Sequence, residues 1–491
     1  MKIESYLNFP FKNTSIMHIF FVRYFFFIFF FGFAKFAVAQ SHRQLYDSVS
    51  YLVLDAYNTQ DPRNIYSLTS PTYQSRMSPS SFTNGTKKFY IKVGKWEDLN
   101  FREQTDGGMA YTARFEREKQ IFFLQLDEQG RILRFNFKPL PFVKSTKNDQ
   151  VPSNNSMTSA TDSLVEKLIR PYIQQGHTTG LCIAVIQNGK VHRYSYGEVK
   201  RGSNKLPDFQ NTIFEIGSLT KTFTSLLLAR EVTRKKMALN DPINKYLPLT
   251  IPKLQYHNAV ITLLDLANHT SGFPRLPANI FLGNVNPSDP YRHYNEDSLY
   301  SFLKTYKPSV IPGTQFSYSN YGAGLLGSIL SHNANRSFEQ LVLEQICLPL
   351  KMNNTRIELR EEDSTCFAQG YNENGEPTTT WDLASLQGSG AIKSTLNDMV
   401  RYTQAQLGQL HSSLKKTILL THQVTFQSMD NTIGLGWRIA KQQDNIYWHH
   451  SGGTGGFRSF VGFDKKRHFG VVILSNTAED VTSIGQAILE E

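Results

Sequence analysis

Short apolar strands stand at both ends of the long C-terminal segment and leave a mostly helical stretch between them. At the front, residues 182–197 (CIAVIQNGKVHRYSYG) predict two strands around a hairpin turn at Asn188-Gly189. At the back, residues 457–464 (FRSFVGFD) and 468–477 (HFGVVILSNT) predict another pair of strands. This arrangement predicts one antiparallel sheet that is built from both termini of the segment and flanked by helices. We therefore expect an α/β domain over residues 163–491.

The chain ahead of this segment predicts a separate, smaller domain over residues 40–144. An amphipathic helix at 43–57 precedes three stretches of alternating apolar and polar residues, at 110–118, 120–127 and 131–140. They predict an antiparallel meander with one buried face, and hence an α+β fold. In the order of its elements the domain resembles cystatin-like or nuclear-transport-factor-like domains. Residues 145–162 are polar and lack periodicity, which predicts a linker.

The first 39 residues carry the pattern of a secretory signal peptide. Arg23 precedes a Phe-rich stretch, which ends in Ala37-Val38-Ala39, a small-x-small cleavage motif. The alternative is an uncleaved membrane anchor, but Arg23 and Lys35 interrupt the apolar run and leave it short for a span. We expect an exported protein of the periplasm or cell envelope, which an uncleaved segment would anchor there.

Composition excludes several classes of function. The chain of 491 residues has a formal net charge of +11, but the charges are scattered rather than in blocks, which argues against nucleic-acid binding. The three cysteines, Cys182, Cys347 and Cys366, have no metal-ligand spacing. We predict no metal and no cofactor, and the oligomeric state is left open.

Three short stretches carry residues of the types found in active sites. Ser218 and Lys221 (SLTK) open a helix-like run and share one face of it, about a turn apart. Tyr318 and Asn320 (YSN) lie in a loop before an Ala/Gly/Leu helix. His450, Ser451, Gly452 and Gly453 (HSGG) open a strand near the C-terminus. Each stretch taken alone has a structural interpretation: Ser218 as a helix cap, Lys221 as a solvated cation, YSN as turn residues and the glycines as a flexible loop. Only the three stretches in this order indicate an active site.

In this order the trio resembles the SxxK, YxN and K/HxG motifs of the penicillin-recognising serine hydrolases. The similar branch contains the class C β-lactamases, the D-alanyl-D-alanine carboxypeptidases and related esterases. Residues 261–274 (ITLLDLANHTSGFP) and 434–439 (GLGWRI) resemble two further passages of that family. The resemblance covers residues 163–491 and implies a β-lactamase/transpeptidase-like fold there.

The resemblance also implies a role for each residue. Ser218 becomes the nucleophile, and Lys221 either acts as base or lowers the pKa of Tyr318 so that the tyrosine does. Asn320 holds Lys221 and a substrate amide. His450 stands where many relatives have lysine and adds positive potential only when it is protonated. Ser451, Gly452 and Gly453 line the substrate, and the backbone N–H groups of Ser218 and Gly453 are the expected oxyanion donors.

We therefore expect an exported serine hydrolase that works through an acyl-enzyme on a D-alanyl peptide, a β-lactam or a small ester. Its partner is a small-molecule or cell-wall-peptide substrate. The alternative is a non-catalytic module that binds a cell-wall peptide, because His450 replaces a permanently charged lysine. His269 is expected to be a helix-end residue rather than a catalytic one, and residues 275–311 are expected to form the pocket walls.

Overall fold

The computed structural model describes residues 43, 45–105, 107–139, 148, 150–280, 285–286, 289–442 and 445–491. The chain separates into two compact units, divided between Leu140 and Pro141. The signal peptide predicted over residues 1–39 lies outside the described residues. Within the described ranges, no helix has the length and apolar character to cross a membrane.

The first unit is a helical segment followed by an antiparallel meander. Its helices are α1 (residues 45–58), α2 (Pro62–Tyr66), α3 (Pro71–Gln74) and α4 (Pro79–Val93), and its strands are β1 (Trp96–Thr105), β2 (Gly108–Phe115), β3 (Lys119–Leu126) and β4 (Ile132–Pro139). The strands lie in the order β1-β2-β3-β4. No sequence pattern predicted β1, because this edge strand is mostly exposed and polar and shows little alternation. The likeness to cystatin-like domains stays a prediction.

An aromatic cluster forms the core of this unit. The ring of Trp96 lies 5.0 Å from that of Phe122 and 5.2 Å from that of Phe115. Alternate residues of β3 are buried, which gives the sheet the single apolar face that the sequence predicts. The buried Tyr57 hydroxyl donates to the carbonyl of Gly94 at 3.0 Å, so its polar group is satisfied within the cluster.

The second unit is an α/β domain. Its strands are β5 (Gly180–Gln187), β6 (Lys190–Gly197), β7 (Phe214–Glu215), β8 (Gln255–Tyr256), β9 (Ala259–Val260), β10 (Lys393–Ser394), β11 (Phe426–Gln427), β12 (Thr432–Gly434), β13 (Trp437–Gln442), β14 (Asn445–Gly453), β15 (Arg458–Asp464) and β16 (Phe469–Ser475). Its helices are α5 (Ala160–Ile173), α6 (Thr220–Thr233), α7 (Leu263–Asn268), α8 (Glu296–Thr305), α9 (Asn320–Ala334), α10 (Phe338–Val342), α11 (Leu348–Leu350), α12 (Leu396–Gln406), α13 (Lys415–Thr421) and α14 (Thr482–Glu490).

The main sheet joins the two ends of the unit, as the sequence predicts. Its eight strands run in the order β11-β12-β13-β14-β15-β16-β5-β6, and β16 pairs with β5 in antiparallel register, Val472 opposite Ala184. The β5–β6 turn has positive φ at Asn188 (49°) and Gly189 (81°), as a tight hairpin requires. Helices α5 and α14 cover one face of the sheet, and α12 packs on the other.

The predicted linker at 145–162 is only partly a connector. Gly197 N donates to the carbonyl of Pro152 at 2.9 Å, and Asn154 N donates to the carbonyl of Ser195 at 3.2 Å, which ties this stretch to β6. Helix α5 begins at Ala160, three residues before the expected start at Ser163, because Ser159 and Asp162 form a capping box there.

Candidate functional site

Ser218 lies on a tight turn that faces the end of β14. It belongs to a short 3₁₀ helix (Gly217–Leu219) that leads directly into α6. Gly217 has φ of 51°, and a Cβ added there would come within 2.6 Å of the amide nitrogen of Gly453. Glycine is therefore required for the turn and the strand to approach so closely. Ser218 makes no capping hydrogen bond, so the interpretation of this serine as a helix cap is wrong.

Lys221 is buried one turn further along, with only 2% of its surface exposed. Its ammonium nitrogen donates to Ser218 Oγ at 3.0 Å, to Asn320 Oδ1 at 2.9 Å and to the carbonyl of Ser389 at 2.6 Å. The interpretation of Lys221 as a solvated helix cation is therefore wrong. Burial lowers the pKa of this amine below its usual value, although the neighbouring Tyr318 partly offsets that effect.

The loop that carries Tyr318 and Asn320 is fixed from several sides. Ser319 caps α9, since its Oγ accepts from Gly322 N at 2.8 Å and donates to the carbonyl of Pro274 at 2.8 Å. Asn320 N donates to the carbonyl of Arg275 at 2.9 Å. The side chain of Asn320 is thereby held where its Oδ1 meets Lys221.

Tyr318 shares the surroundings of Lys221 and Ser218. The Lys221 nitrogen lies 4.8 Å from the centroid of the Tyr318 ring. Burial raises the pKa of the phenol, but the Lys221 charge, hydrogen bonds with Lys221 and Ser218, and the charge of Arg275 together hold that pKa below its usual value. Lys221 and Tyr318 therefore titrate as a coupled pair beside the serine hydroxyl.

His269 occupies the end of α7, as expected, and it also contacts the site in a way that the sequence analysis missed. It has φ of 61° at the helix C-cap. Its Nδ1 accepts from Ser319 N at 3.1 Å, and its ring centroid lies 4.4 Å from that of Tyr318. Burial and the charge of Lys221 hold its pKa well below the usual range, so the ring is neutral. A neutral ring with an acceptor at Nδ1 supports Tyr318 without adding charge.

The four residues from His450 to Gly453 end β14 (Asn445–Gly453), so the expectation that they open a strand is wrong. They form the opposite side of the site. His450 is 7% exposed, and its Nδ1 lies 2.7 Å from the carbonyl of Ser451. Burial, followed by the charge of Lys221, lowers the pKa of His450 to about 3. The imidazole therefore adds no positive potential near neutral pH. Its neighbour His449 lies on the other face of the strand, where its ring stacks 6.0 Å from that of Phe460.

Gly452 and Gly453 allow β14 to pass close to the nucleophile turn. A Cβ on Gly452 would overlap the carbonyl oxygen of Ile216 and the hydroxyl of Ser459. Gly453 is exposed at the strand end, and its amide nitrogen lies against Gly217. The structure thus brings together all of the residues that the three motifs supply: Ser218, Lys221, Tyr318, Asn320, His450, Ser451, Gly452 and Gly453.

A wall beside these residues comes partly from residues 275–311, the stretch expected to form the pocket walls, which supplies Arg275 and Tyr291. Trp381 and Glu215 come from outside that stretch. Arg275 lies with its guanidinium carbon 5.2 Å from the centroid of the Tyr318 ring. The rings of Tyr291 and Trp381 meet edge to face at 5.3 Å. The buried carboxylate of Glu215 accepts from Trp381 N at 3.2 Å and so holds this wall beside the turn of Ser218. Within the described part of the chain, no cluster of acidic, histidine or cysteine side chains has the geometry of a metal site.

Comparisons with known proteins identify the family of the chain. The β-lactamase family model matches residues 165–489. A β-lactamase of Pseudomonas fluorescens is 31% identical over 353 residues, which is 65% of this chain and 94% of the relative. A β-lactamase of Escherichia coli (strain K12) is 31% identical over 349 residues, which is 64% of this chain and 88% of the relative.

Solved structures give the same result for the fold. A class C β-lactamase superimposes with a TM-score of 0.58 at 27% identity, over 66% of this chain and 93% of its own. A β-lactamase/D-alanine carboxypeptidase from Pseudomonas syringae superimposes with a TM-score of 0.59 at 24% identity, over 68% of this chain and 98% of its own. With the family model matching most of the second unit, the chain belongs to the β-lactamase family and is a serine hydrolase related to the class C enzymes.

Proposed function

We propose that Ser218 forms an acyl-enzyme with C-terminal D-alanyl peptides or with the β-lactams that resemble them. One observation carries the proposal: the buried side-chain nitrogen of Lys221 lies within hydrogen-bond distance of Ser218 Oγ, Asn320 Oδ1 and a backbone carbonyl. A structural lysine needs no serine hydroxyl among its partners, whereas an activated serine needs a proton acceptor within hydrogen-bond distance.

In acylation, Ser218 Oγ attacks the substrate carbonyl and its proton passes to the Lys221–Tyr318 pair. Both members of the pair have a lowered pKa, which makes a proton-accepting form accessible nearer to neutral pH than for either residue in water. The C–N bond of the substrate then breaks. The pair returns the proton to the departing nitrogen, and an ester on Ser218 remains.

The strand and the turn stabilise the charge that develops on the carbonyl oxygen. The N–H groups of Ser218 and Gly453 are the proposed donors, since the two backbones lie against each other at this point. Asn320 is proposed to bind the substrate amide, and His450, Ser451 and Gly452 to line the strand side. Water then attacks the ester, and the same pair accepts its proton. The bond between the acyl carbon and Ser218 Oγ breaks, the pair returns the proton to Oγ, and the acid product leaves.

The relatives support this choice of substrate. Those compared above are named as β-lactamases, and the Pseudomonas syringae structure is named both for β-lactamase and for D-alanine carboxypeptidase. Such a substrate also fits the expected signal peptide at residues 1–39, because cell-wall peptides lie outside the cytoplasm. Export to the periplasm or cell envelope is part of the proposal.

The test is covalent labelling followed by intact-mass measurement. The purified protein is treated with benzylpenicillin and, separately, with a fluorophosphonate, alongside a Ser218→Ala variant. We expect a mass gain of one penicillin on the wild type and none on the variant. Labelling by the fluorophosphonate alone would replace the peptide proposal by an ester substrate.

One observation favours a second candidate, the non-catalytic peptide-binding module. His450 is neutral near neutral pH, so it does not supply the charge with which a lysine at this position would hold a substrate carboxylate. If neither probe gives an adduct while a D-alanyl peptide still binds, the binding module stands and the enzymatic proposal fails.

A further inference from the structure

The wall of the site holds a cation without a carboxylate partner. Arg275 is exposed, and no ion pair among the described residues includes it, whereas the nearby Arg292 lies 4.0 Å from Asp382. Its guanidinium instead stacks over the Tyr318 ring at 5.2 Å. An arginine in this position keeps most of its donors free for a ligand, and the fork of donors matches a carboxylate.

The backbone of Arg275 is fixed even though its side chain is exposed. Its carbonyl accepts from Asn320 N at 2.9 Å and from Tyr321 N at 3.3 Å, which attaches it to the first turn of α9. A side chain with a fixed Cα and a ring to stack on loses less entropy when it binds a ligand than a free surface arginine does. These are the properties of a binding residue rather than of a solubilising one.

The surrounding charges make an anion favourable at this place. Arg275 and Lys221 flank the same phenol ring, and the charge of Arg275 is one of the causes that lower the pKa of Lys221. On the opposite side His450 is neutral near neutral pH. Arg458 lies beside Gly453 at the end of β14, but its Nη1 donates to the carbonyls of Thr454 and Phe457, both at 2.8 Å. Arg275 is instead held over the Tyr318 ring, with its charge on the side of the pocket away from the end of β14.

The role of Asn320 indicates which part of the substrate lies near Arg275. Its Oδ1 is occupied by Lys221, which leaves its side-chain N–H groups for the amide carbonyl on the acyl portion of a substrate. Because Arg275 is bonded to the backbone of Asn320, it lies beside the acyl portion and not beside the leaving group.

We propose that Arg275 binds a carboxylate on the acyl portion of the substrate, so that the site prefers acidic acyl donors such as a D-alanyl peptide with an acidic side chain ahead of the scissile bond. This inference rests on the proposed function, since it assigns the orientation of the acyl group from the role given to Asn320.

Two penicillins separate this inference from its alternatives. Carbenicillin differs from benzylpenicillin by one additional carboxylate on the acyl side chain. Binding is measured by calorimetry in the Ser218→Ala background, where no acylation interferes. We expect carbenicillin to bind about tenfold more tightly than benzylpenicillin, as one charge-assisted hydrogen-bonded contact allows, and Arg275→Gln to remove this preference.

Arg438→Gln is the matched control. Arg438 is likewise exposed and stacks at 5.3 Å, but over Phe316 and not over Tyr318, so the preference should survive this change. Equal affinities in the Ser218→Ala protein, failure of both penicillins to bind, or a preference that survives Arg275→Gln would overturn the inference. An equal loss for both penicillins in Arg275→Gln would also overturn it, because Arg275 would then act on a feature that they share.

The proposed function is judged separately, with Ser218 present. Acylation of the wild type by benzylpenicillin supports the enzymatic proposal whatever the preference between the two penicillins. Conversely, a carbenicillin preference that depends on Arg275 in a protein that is never acylated would support the anion site and reject the catalytic role.

Discussion

Replacing the buried His450 should change how the stability of the second unit depends on pH. Burial holds the pKa of His450 at about 3, whereas the unfolded chain has the ordinary value of 6.5. Between these values the unfolded state binds a proton that the folded state does not, so the histidine costs stability as pH falls from 6.5 towards 3. Glutamine at this position does not titrate and removes that cost.

The magnitude follows from the two pKa values. Each proton that only the unfolded state binds costs about 1.36 kcal/mol per pH unit. For values of 6.5 and about 3, the free energy of unfolding of the wild type falls by about 2.7 kcal/mol more than that of His450→Gln between about pH 7.5 and about pH 4.5. Any constant effect of the lost imidazole packing cancels in this difference.

Urea unfolding of both proteins at the two pH values, followed by tryptophan fluorescence, measures the difference. His422→Gln serves as the comparison, because His422 lies away from the site, between Gln406 and Trp448, and burial lowers its pKa to about 3 as well. It should give a similar difference in stability without affecting penicillin labelling. Parallel pH dependences for wild type and His450→Gln would show that His450 is not held neutral, and the account of an uncharged His450 would be wrong.

Three further predictions concern the site and the fold. Acylation of Ser218 should rise with pH along a limb with a midpoint below 10, and Tyr318→Phe should slow it by about 10²–10⁴-fold in stopped-flow measurements; a midpoint at or above 10 would contradict the lowered pKa values. Gly452→Ala should lower the free energy of unfolding by about 3 kcal/mol, because the added Cβ meets the Ile216 carbonyl. Gly189→Ala, where the added Cβ meets no atom and only the positive φ opposes it, should cost about 1 kcal/mol. Equal losses would argue against the close approach of β14 to Ile216. Gly85→Ala, in the exposed middle of α4 with open space at Cβ, should stabilise the first unit by about 0.5–1 kcal/mol in thermal unfolding, and a loss would contradict this placement.

The parts of the site and fold that depend on residues close together in the sequence were predictable. Ser218 and Lys221 are three residues apart on one helical turn, and the structure places their polar atoms 3.0 Å apart. The hairpin at Asn188-Gly189 follows from the same kind of local rule. Asn320 is 99 residues away from Lys221, and only the family resemblance connected the two.

The elements that were missed lack a local signal. His269 contacts Tyr318 through a fold that no periodicity encodes, and a histidine at a helix end looks the same whether or not a tyrosine ring lies against it. Arg275 lies in the stretch 275–311 that was expected to form the pocket walls, but no local signal distinguishes it from the rest of that stretch. Strands of two or three residues, such as β7 (Phe214–Glu215), are too short to alternate visibly. Edge strand β1 alternates weakly because solvent covers most of it.

The closure of the main sheet has a consequence for biosynthesis. The ribosome synthesises the strand that carries His450 to Gly453 long after the turn of Ser218. Strand β16 must also be synthesised before β5 can pair with it in the main sheet. A nascent chain that ends after α9 already contains the serine, the lysine and the tyrosine, yet it lacks the strand that carries Gly453, one of the two proposed oxyanion donors. Hydrolytic competence should therefore arise abruptly, as the last strands join the first ones, and premature termination anywhere before β14 should release an inert polypeptide.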